Sequence, residues 1–325
     1  MNIGIVGCGL IGQKRARALA GARLAACADL DPKRAAQLAA QHPGCAAMEN
    51  WETLIQRPEI GMVVVATAHD SLAAITRAAL RNGKHVLVEK PAALKSSELP
   101  PVIDEERRSG RHVHVGFNHR YHRAFRKAFE LVRAGELGPL MFLRARYGHG
   151  GRPGYDREWR ATRERSGGGE LIDQGIHLVD LARCFLGEFT EVQGYAQTFF
   201  WDMDVEDNGF LMLRTPGRQV AFLHASCTEW KNLFSFEIYG KTGKLEISGL
   251  GGSYGVERLS WYRMLPEMGP PETTIWEFPM ADDSWEKEMR EFIDDIGLDR
   301  QPSAGLPDAL AALQVIEEVY RSSGM

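Results

Sequence analysis

Hydrophobic and polar positions follow two different rhythms along this chain. From residue 2 to about 120, short unbroken apolar runs alternate with stretches of helical spacing. The runs NIGIV (2–6), RLAACADLD (23–31), IGMVVVATA (60–68), KHVLVEKP (84–91) and HVHVGFN (112–118) read as strands. Between them, Gln13–Ala20, PKRAAQLAAQ (32–41) and SLAAITRAALRNG (71–83) read as helices. Continuous apolar runs suit strands buried on both faces of a parallel sheet. Their alternation with helices predicts a doubly wound α/β sheet, whose ligands sit at the carboxyl ends of the strands.

After Asn118 the rhythm changes. A helix from His122 to Ala134 leads through GELGPL to MFLRARYGHG (141–150), which alternates as a half-buried strand does. A helix is expected over 167–187, and then strands at TEVQGYAQTFFW (190–201), DNGFLMLRT (207–215), QVAFLHASC (219–227), LFSFEIYG (233–240) and GKLEISG (243–249). These predict one large, mostly antiparallel open sheet. A last helix, GLPDALAALQVIEEVYRSS, repeats Leu306, Leu310, Leu313 and Ile316 at helical spacing and is expected to pack on the body. The expectation is therefore an α/β protein of two domains: a Rossmann-type domain over 1–120 and an α/β domain with the large sheet over 121–325, a division that suits 325 residues.

The helix expected at GGGELIDQGIHLVDLARCFLG has an uneven distribution of polarity. Stepping about 100° per residue, apolar side chains cover most of its circumference, which marks a largely buried helix. Asp173, His177, Asp180 and Cys184 fall on one narrow stripe. That stripe is either a solvent face with an ordinary i,i+4 pair or a functional one. It lacks the long Lys and Glu side chains of a wet face.

Composition narrows the range of functions. The chain has 44% hydrophobic and 25% charged residues and a net charge of −4, which gives no sign of a nucleic-acid partner. No apolar run approaches the roughly 20 residues of a membrane span, and the N-terminus enters a strand directly, without a signal-peptide pattern. Cys8, Cys27, Cys45, Cys184 and Cys227 are scattered without a CxxC pair, which fits reduced thiols in a cytoplasmic protein and no metal site.

The first strand runs straight into GCGLIG. In a strand–turn–helix context the three glycines act differently. Gly7 permits the tight turn, Gly9 lets backbone approach a pyrophosphate, and Gly12 lets helix and strand pack closely. The N–H groups of the helix start then favour phosphate, so Leu10 and Ile11 join the cofactor contacts. Asp29 ends the second strand 17 residues after Gly12. A carboxylate there suits a ribose 2′-hydroxyl and favours NAD, with Lys33 and Arg34 keeping NADP as the alternative. Asp31, before Pro32, suits a helix N-cap. Three further strand ends carry polar groups: Thr67 and His69, Glu89 and Lys90, and Asn118 with Arg120. Together with the glycine loop they read as a cofactor and substrate site.

GIVGCGLIG, EKP, GFNHRYHRAF, GELG and GGGELIDQGIHLVDL occur in this order. They closely resemble the glucose–fructose oxidoreductase, inositol dehydrogenase and MocA family, motif by motif to about residue 190. The resemblance implies an NAD(P)-dependent oxidoreductase acting on a ring hydroxyl or ketone of a sugar or cyclitol. It also implies a homodimer or homotetramer built through the C-terminal sheet. Lys90 matches the active-site lysine of EKP, and Asp173 and His177 match the acid and histidine after the glycines. His177 would then be the base, Asp173 its orienting acid, and Lys90 the cation at the reacting oxygen. Leu72 departs from the family, whose members often have histidine there.

Substrate contacts are expected from Arg120, Tyr147, Trp159, Arg160, Asp173, His177 and Trp230. The loop GGRPGYDREWRATRERSGGG (150–169) carries five arginines, read either as an anion clamp or as a solvated loop balanced by its own acids. The wording REWR…GGGELIDQG, with TEWKNLFSFEIYG, resembles the branch of the family associated with surface-polysaccharide and nucleotide-sugar metabolism, and that resemblance implies a nucleotide-linked or anionic sugar. The alternatives are an NAD-dependent glycoside hydrolase working by transient oxidation, a non-catalytic NAD-binding regulator, and an enzyme of a non-sugar substrate such as a dihydrodiol.

Overall fold

A computed structural model describes all 325 residues, and the chain divides into two compact units. The main break falls between Phe117 and Asn118, close to the boundary near residue 120 that the pattern implies, but later segments return across it. The first unit takes 1–117, 164–167 and 285–313; the second takes 118–163, 168–284 and 314–325. The chain thus returns twice to the first unit, and neither return has a linker-like composition to announce it.

In the first unit, strands β1 (Asn2–Val6), β2 (Arg23–Ala28), β3 (Ala46–Met48), β4 (Met62–Val65), β5 (His85–Val88) and β6 (Val113–Val115) form one parallel sheet in the order β3-β2-β1-β4-β5-β6. The order reverses at β1, where the glycine loop leaves the sheet. Ile3, Ile5, Met62, Val64 and Leu87 are fully buried, as two-sided strands require. The helix Ser284–Gly297 adds Met289 and Phe292 to the same core.

A buried ion cluster ties that returning helix in place. Arg15, on the helix Leu10–Arg17, is fully buried. Its Nε donates to Glu89 at 2.6 Å and its Nη1 to Glu288 at 2.5 Å, while the Trp285 ring lies 4.3 Å from the guanidinium carbon. His114 on β6 reaches the other Glu288 oxygen at 3.3 Å. Burial pushes both carboxyls up. At Glu288 the charges of Arg15 and His114 outweigh burial and hold it below the usual range, whereas at Glu89 burial prevails over Arg15.

In the second unit, β7 (Leu140–Gly148), β8 (Glu191–Gln197), β9 (Asn208–Arg214), β10 (Val220–Ser226), β11 (Leu233–Gly240), β12 (Gly243–Ser248), β13 (Glu257–Arg263) and β14 (Glu272–Phe278) form one eight-stranded sheet. Its order is β14-β13-β12-β11-β7-β10-β9-β8, antiparallel except for the β7–β10 pair. The last two strands, β13 and β14, go beyond the strands expected from the pattern. The first of the expected strands is shorter than its apolar run: β8 stops at Gln197, and Thr198–Trp201 leave the sheet.

The inner face of this sheet (Leu143, Ala145, Leu211, Leu213, Leu223, Phe236, Ile238) is buried, with the helix at 170–186 packed on β7 and β10. The outer face keeps Tyr195, Met212, Phe222 and Ile275 exposed. The C-terminal helix Leu306–Ser322 buries Leu306, Leu313 and Ile316 as its spacing implies.

Replacing Arg15 by Met strands two buried carboxylates. We expect Arg15→Met to destabilise the first unit by about 3–5 kcal/mol, the scale for breaking a buried ion pair from one side. Urea unfolding followed by hydrogen exchange in β1 and β5 measures it.

Candidate functional site

The dinucleotide half lies in the first unit. Gly7 has φ +93°, and a Cβ there would stand 2.4 Å from the Ala66 carbonyl oxygen. A Cβ on Gly12 would stand 1.9 Å from the Gly7 oxygen, so helix and loop touch backbone to backbone. Gly9 is the opposite case: nothing in the protein lies within 4 Å of its would-be Cβ. The loop is therefore closed where the fold needs it and open where a pyrophosphate would approach the free N–H groups of Leu10 and Ile11 at the helix start.

Asp29 completes this half. Its two oxygens accept from Cys8 N at 2.7 Å and Asp31 N at 2.8 Å, which fixes the carboxylate against the glycine loop with lone pairs left for a ribose. Asp31 accepts from Lys33 N at 3.0 Å and caps the helix Pro32–Ala39, as its position before Pro32 implies. Arg34 leans on Asp31 at 3.5 Å. These residues fit a dinucleotide with a free 2′-hydroxyl.

Other expected cofactor residues have partners inside the first unit. His69 is buried and its Nδ1 lies 2.8 Å from the Ser166 carbonyl, so it anchors the 164–167 segment. Glu89 is held by Arg15 rather than turned to a ligand. Thr67 Oγ1 accepts from Ser71 at 2.9 Å. Lys90 is half-buried two residues past β5, in a turn where Ala92 N donates to the Glu89 carbonyl at 2.9 Å and the Lys90–Pro91 peptide is cis.

In the second unit the polar centre is built on the helix at 170–186. Its first turn is wide: Leu171–Gly175 is π-helical and Ile176–Leu186 is α-helical, with Gly187 at the end. Such turns are frequent at functional sites. The expected stripe assumed an even 100° step, and the π turn re-aims Asp173 relative to it. The polar residues are not a wet face: His177 is 5% exposed and Asp180 1%. Only Cys184, further along, is exposed.

His177 stacks on His119 at 3.9 Å between ring centroids, and Tyr147 stands edge-on to it at 6.5 Å. Burial, then the charges of Tyr254, Asp173 and Glu170, push the Tyr147 hydroxyl well above the usual phenol range, so it stays a neutral hydrogen-bond donor. Asp173 accepts from Arg160 Nε at 3.0 Å, and Arg160 packs 4.7 Å from the Trp159 ring centre. One turn earlier, the buried Glu170 accepts from Tyr155 Oη at 3.2 Å and meets His149 Nε2 at 3.4 Å. Burial opposes the His149 cation, but Glu170 and Asp173 overcome it and raise its pKa.

Two expected ligand contacts are engaged inside this unit. Arg120 forms a two-pronged pair with Asp180, its Nε at 2.8 Å, and is a structural brace for the helix. Asn118 is buried and its Nδ2 donates to Ser284 Oγ at 3.0 Å. Of the five loop arginines, Arg152 pairs with Glu158 at 2.6 Å and Arg157 with Asp156 at 4.0 Å inside the loop, whereas Arg160 pairs with Asp173 of the central helix and Arg165 with Asp70 at 3.6 Å. Arg163 donates to the Asp204 backbone carbonyl at 3.3 Å. His119, His149, Glu170 and Tyr254 were not singled out by sequence reasoning. Their partners lie on other elements; His119 stands inside the GFNHRYHRAF motif and Glu170 inside GGGELIDQGIHLVDL, whereas nothing in the local pattern marks His149.

The comparisons agree with this architecture. The profile of the oxidoreductase family with the NAD-binding Rossmann fold, GFO/IDH/MocA, matches residues 1–117, and that of the GFO/IDH/MocA C-terminal domain matches 125–246. The chain belongs to this family of NAD-binding oxidoreductases. It is 33% identical to inositol 2-dehydrogenase 2 of Saccharopolyspora erythraea over 66% of its own length and 63% of that protein's. It is 30% identical to inositol 2-dehydrogenase of Rubrobacter xylanophilus over 77% of its length and 72% of that protein's. The structure of levoglucosan dehydrogenase in complex with NADH superimposes with a TM-score of 0.89 at 22% identity, covering 100% of this chain and 97% of that one, which is a likeness of fold.

Asp29→Ala should weaken NAD binding by about tenfold, the scale of one lost hydrogen bond to a charged acceptor, and narrow the gap to NADP. Titration calorimetry with both cofactors checks it, and NADP binding tighter than NAD in the unaltered chain would reduce Asp29 to a loop brace.

Proposed function

We propose that this protein is an NAD-dependent dehydrogenase or ketoreductase of an uncharged sugar or cyclitol. The observation that carries it is the buried imidazole of His177, stacked on His119 on a largely buried helix beside the Asp173–Arg160 pair. Enclosing that much polarity is costly unless each group has a partner or a use. The ion pairs of Arg152 and Arg160 favour a neutral ring, as do the inositol dehydrogenases among its relatives; the nucleotide-linked alternative has its own relative in the dTDP-3,4-didehydro-2,6-dideoxy-alpha-D-glucose 3-reductase of Streptomyces violaceoruber.

When bound, NAD supplies the hydride acceptor, or NADH the donor. The protein's own residues handle the proton and the charge. His177 takes the hydroxyl proton as the ring carbon is oxidised. Lys90 offers its cation to the same oxygen and stabilises developing alkoxide. Asp173 orients the site, drawing Arg160 and Trp159 with it. In the reverse direction the same groups protonate a reduced ketone. Gly7, Gly9, Leu10, Ile11, Gly12 and Asp29 hold the cofactor.

The outer face of the large sheet supports a homodimer or homotetramer. Phe142 stacks on Tyr239 at 4.3 Å and Phe210 on His224 at 4.2 Å, with Met212 and Phe222 exposed between neighbouring strands. Exposed aromatic and aliphatic side chains on an open sheet face favour association with a second copy. Light scattering should show a dimer or larger assembly, and a monodisperse monomer would remove the claim.

For catalysis, Lys90→Ala and His177→Ala should each lower kcat by about 10²-fold or more. Asp173→Asn should cost less. The Lys90 and His177 effects should be non-additive, since both serve one oxygen. Turnover with NAD and myo-inositol or aldoses, read by nicotinamide absorbance beside thermal melting, separates catalysis from folding. Unchanged kcat in folded His177→Ala protein would end this reading.

A further inference from the structure

The loop that leaves the sheet after Gln197 exposes aromatic rings instead of burying them. Phe199 is 68% exposed, Phe200 57% and Trp230, from the turn after β10, 67%. This is not a slack segment. The buried Asp207 carboxylate accepts from the N–H groups of Phe199, Phe200 and Trp201 at 2.9, 2.7 and 3.0 Å. Trp201 Nε1 donates to the Cys227 carbonyl at 3.0 Å. Trp230 sits at φ +57° in a three-residue turn closed by Lys231 N to the Glu229 carbonyl at 2.6 Å. Bulky residues seldom adopt that region, and strained backbone of this kind persists where the surroundings hold it for use.

Two glycines make the room. A Cβ on Gly150 would stand 3.1 Å from Trp230 Cα, and one on Gly151 would enter the Trp201 ring at 2.3 Å. Phe200 and Trp230, both more than half exposed, meet edge to face at 90° with centroids 4.7 Å apart. The platform is continuous with the polar centre of the same unit. Trp201 packs on Tyr155 at 5.7 Å, Tyr155 donates to Glu170, and Glu170 leads directly into the π turn that carries Asp173. Asp202 and Asp204, exposed in the same loop, would repel a phosphate-bearing group.

We propose that Phe200 and Trp230 form a stacking platform for an uncharged sugar ring linked to the one that reacts, so that the preferred substrate is a glycoside or disaccharide. The inference rests on the oxidoreductase reading above for the reacting ring. A pyranose offers an apolar face of axial C–H groups that lies on an aromatic ring, and its hydroxyl rim stays in water. A rigid, preformed pair of rings binds such a face without ordering cost.

The full chain with NAD is titrated calorimetrically with paired probes: glucose with maltose and cellobiose, galactose with lactose, and myo-inositol with galactinol. At least one two-ring probe should bind roughly tenfold tighter than its one-ring parent, the scale of an aromatic stacking contact. Phe200→Ser should bring that ratio towards one. Trp230→Asn, which tolerates the left-handed backbone, should do the same. No preference in any pair, or a preference that survives Phe200→Ser, would overturn the platform. So would a Phe200→Ser protein whose molar mass falls in light scattering while the ratio stands, since the rings would then join copies of the chain. Nicotinamide reduction by the one-ring sugars is read in parallel. Its absence with an intact binding ratio would defeat the oxidoreductase reading and leave the platform standing.

Discussion

The first unit depends on a charge enclosed in its interior. Arg15 is on the helix that follows the glycine loop, Glu89 ends β5 beside Lys90, His114 is on β6, and Glu288 is on a helix nearly 200 residues further along the chain. A guanidinium with no exposure has to be answered on several sides, because leaving it unpaired would cost far more than any one contact gains. That requirement connects the glycine loop, the carboxyl end of β5 and the returning helix, so the dinucleotide half and the lysine turn share one buried anchor.

The second unit meets a similar constraint by different means. Its central helix is apolar on most sides and must be buried, yet it carries Glu170, Asp173, His177 and Asp180. Each of these is given company: Tyr155 and His149 for Glu170, Arg160 for Asp173, His119 for His177 and Arg120 for Asp180. The wide turn at Leu171–Gly175 lets the acids point to different partners instead of stacking in a single line. Arg120, which resembled a substrate ligand, is one of these partners. Its pairing compensates the burial of Asp180.

Legibility followed the range of each interaction. The glycine loop, the cap at Asp31 and five of the six parallel strands could be read because their causes are local: a tight turn, a side chain beside a proline, a two-sided apolar run. The edge strand β3 is short and only partly buried, and carries no such run. The large sheet is visible as alternation, but β13 and β14 are not: β13 buries Glu257, Leu259 and Ser260 without a regular alternation of apolar and polar residues, and β14 is largely exposed. The segment 198–201 looked like more strand because its residues are aromatic. Asp207, several positions later, takes its N–H groups out of the sheet.

By itself, then, the sequence determined the class of fold, the dinucleotide loop with its acid, and which helix would carry buried polarity. Periodicity and backbone geometry act over a few residues, and those are written in order along the chain. Only the tertiary structure decided which charges are already answered. Glu89, His69, Asn118 and Arg120 all stand at suggestive places in the sequence, and each is occupied by a residue from a distant element. A carboxylate or guanidinium is available to a ligand only after its own burial has been compensated, and that compensation comes from neighbours that the linear order does not identify.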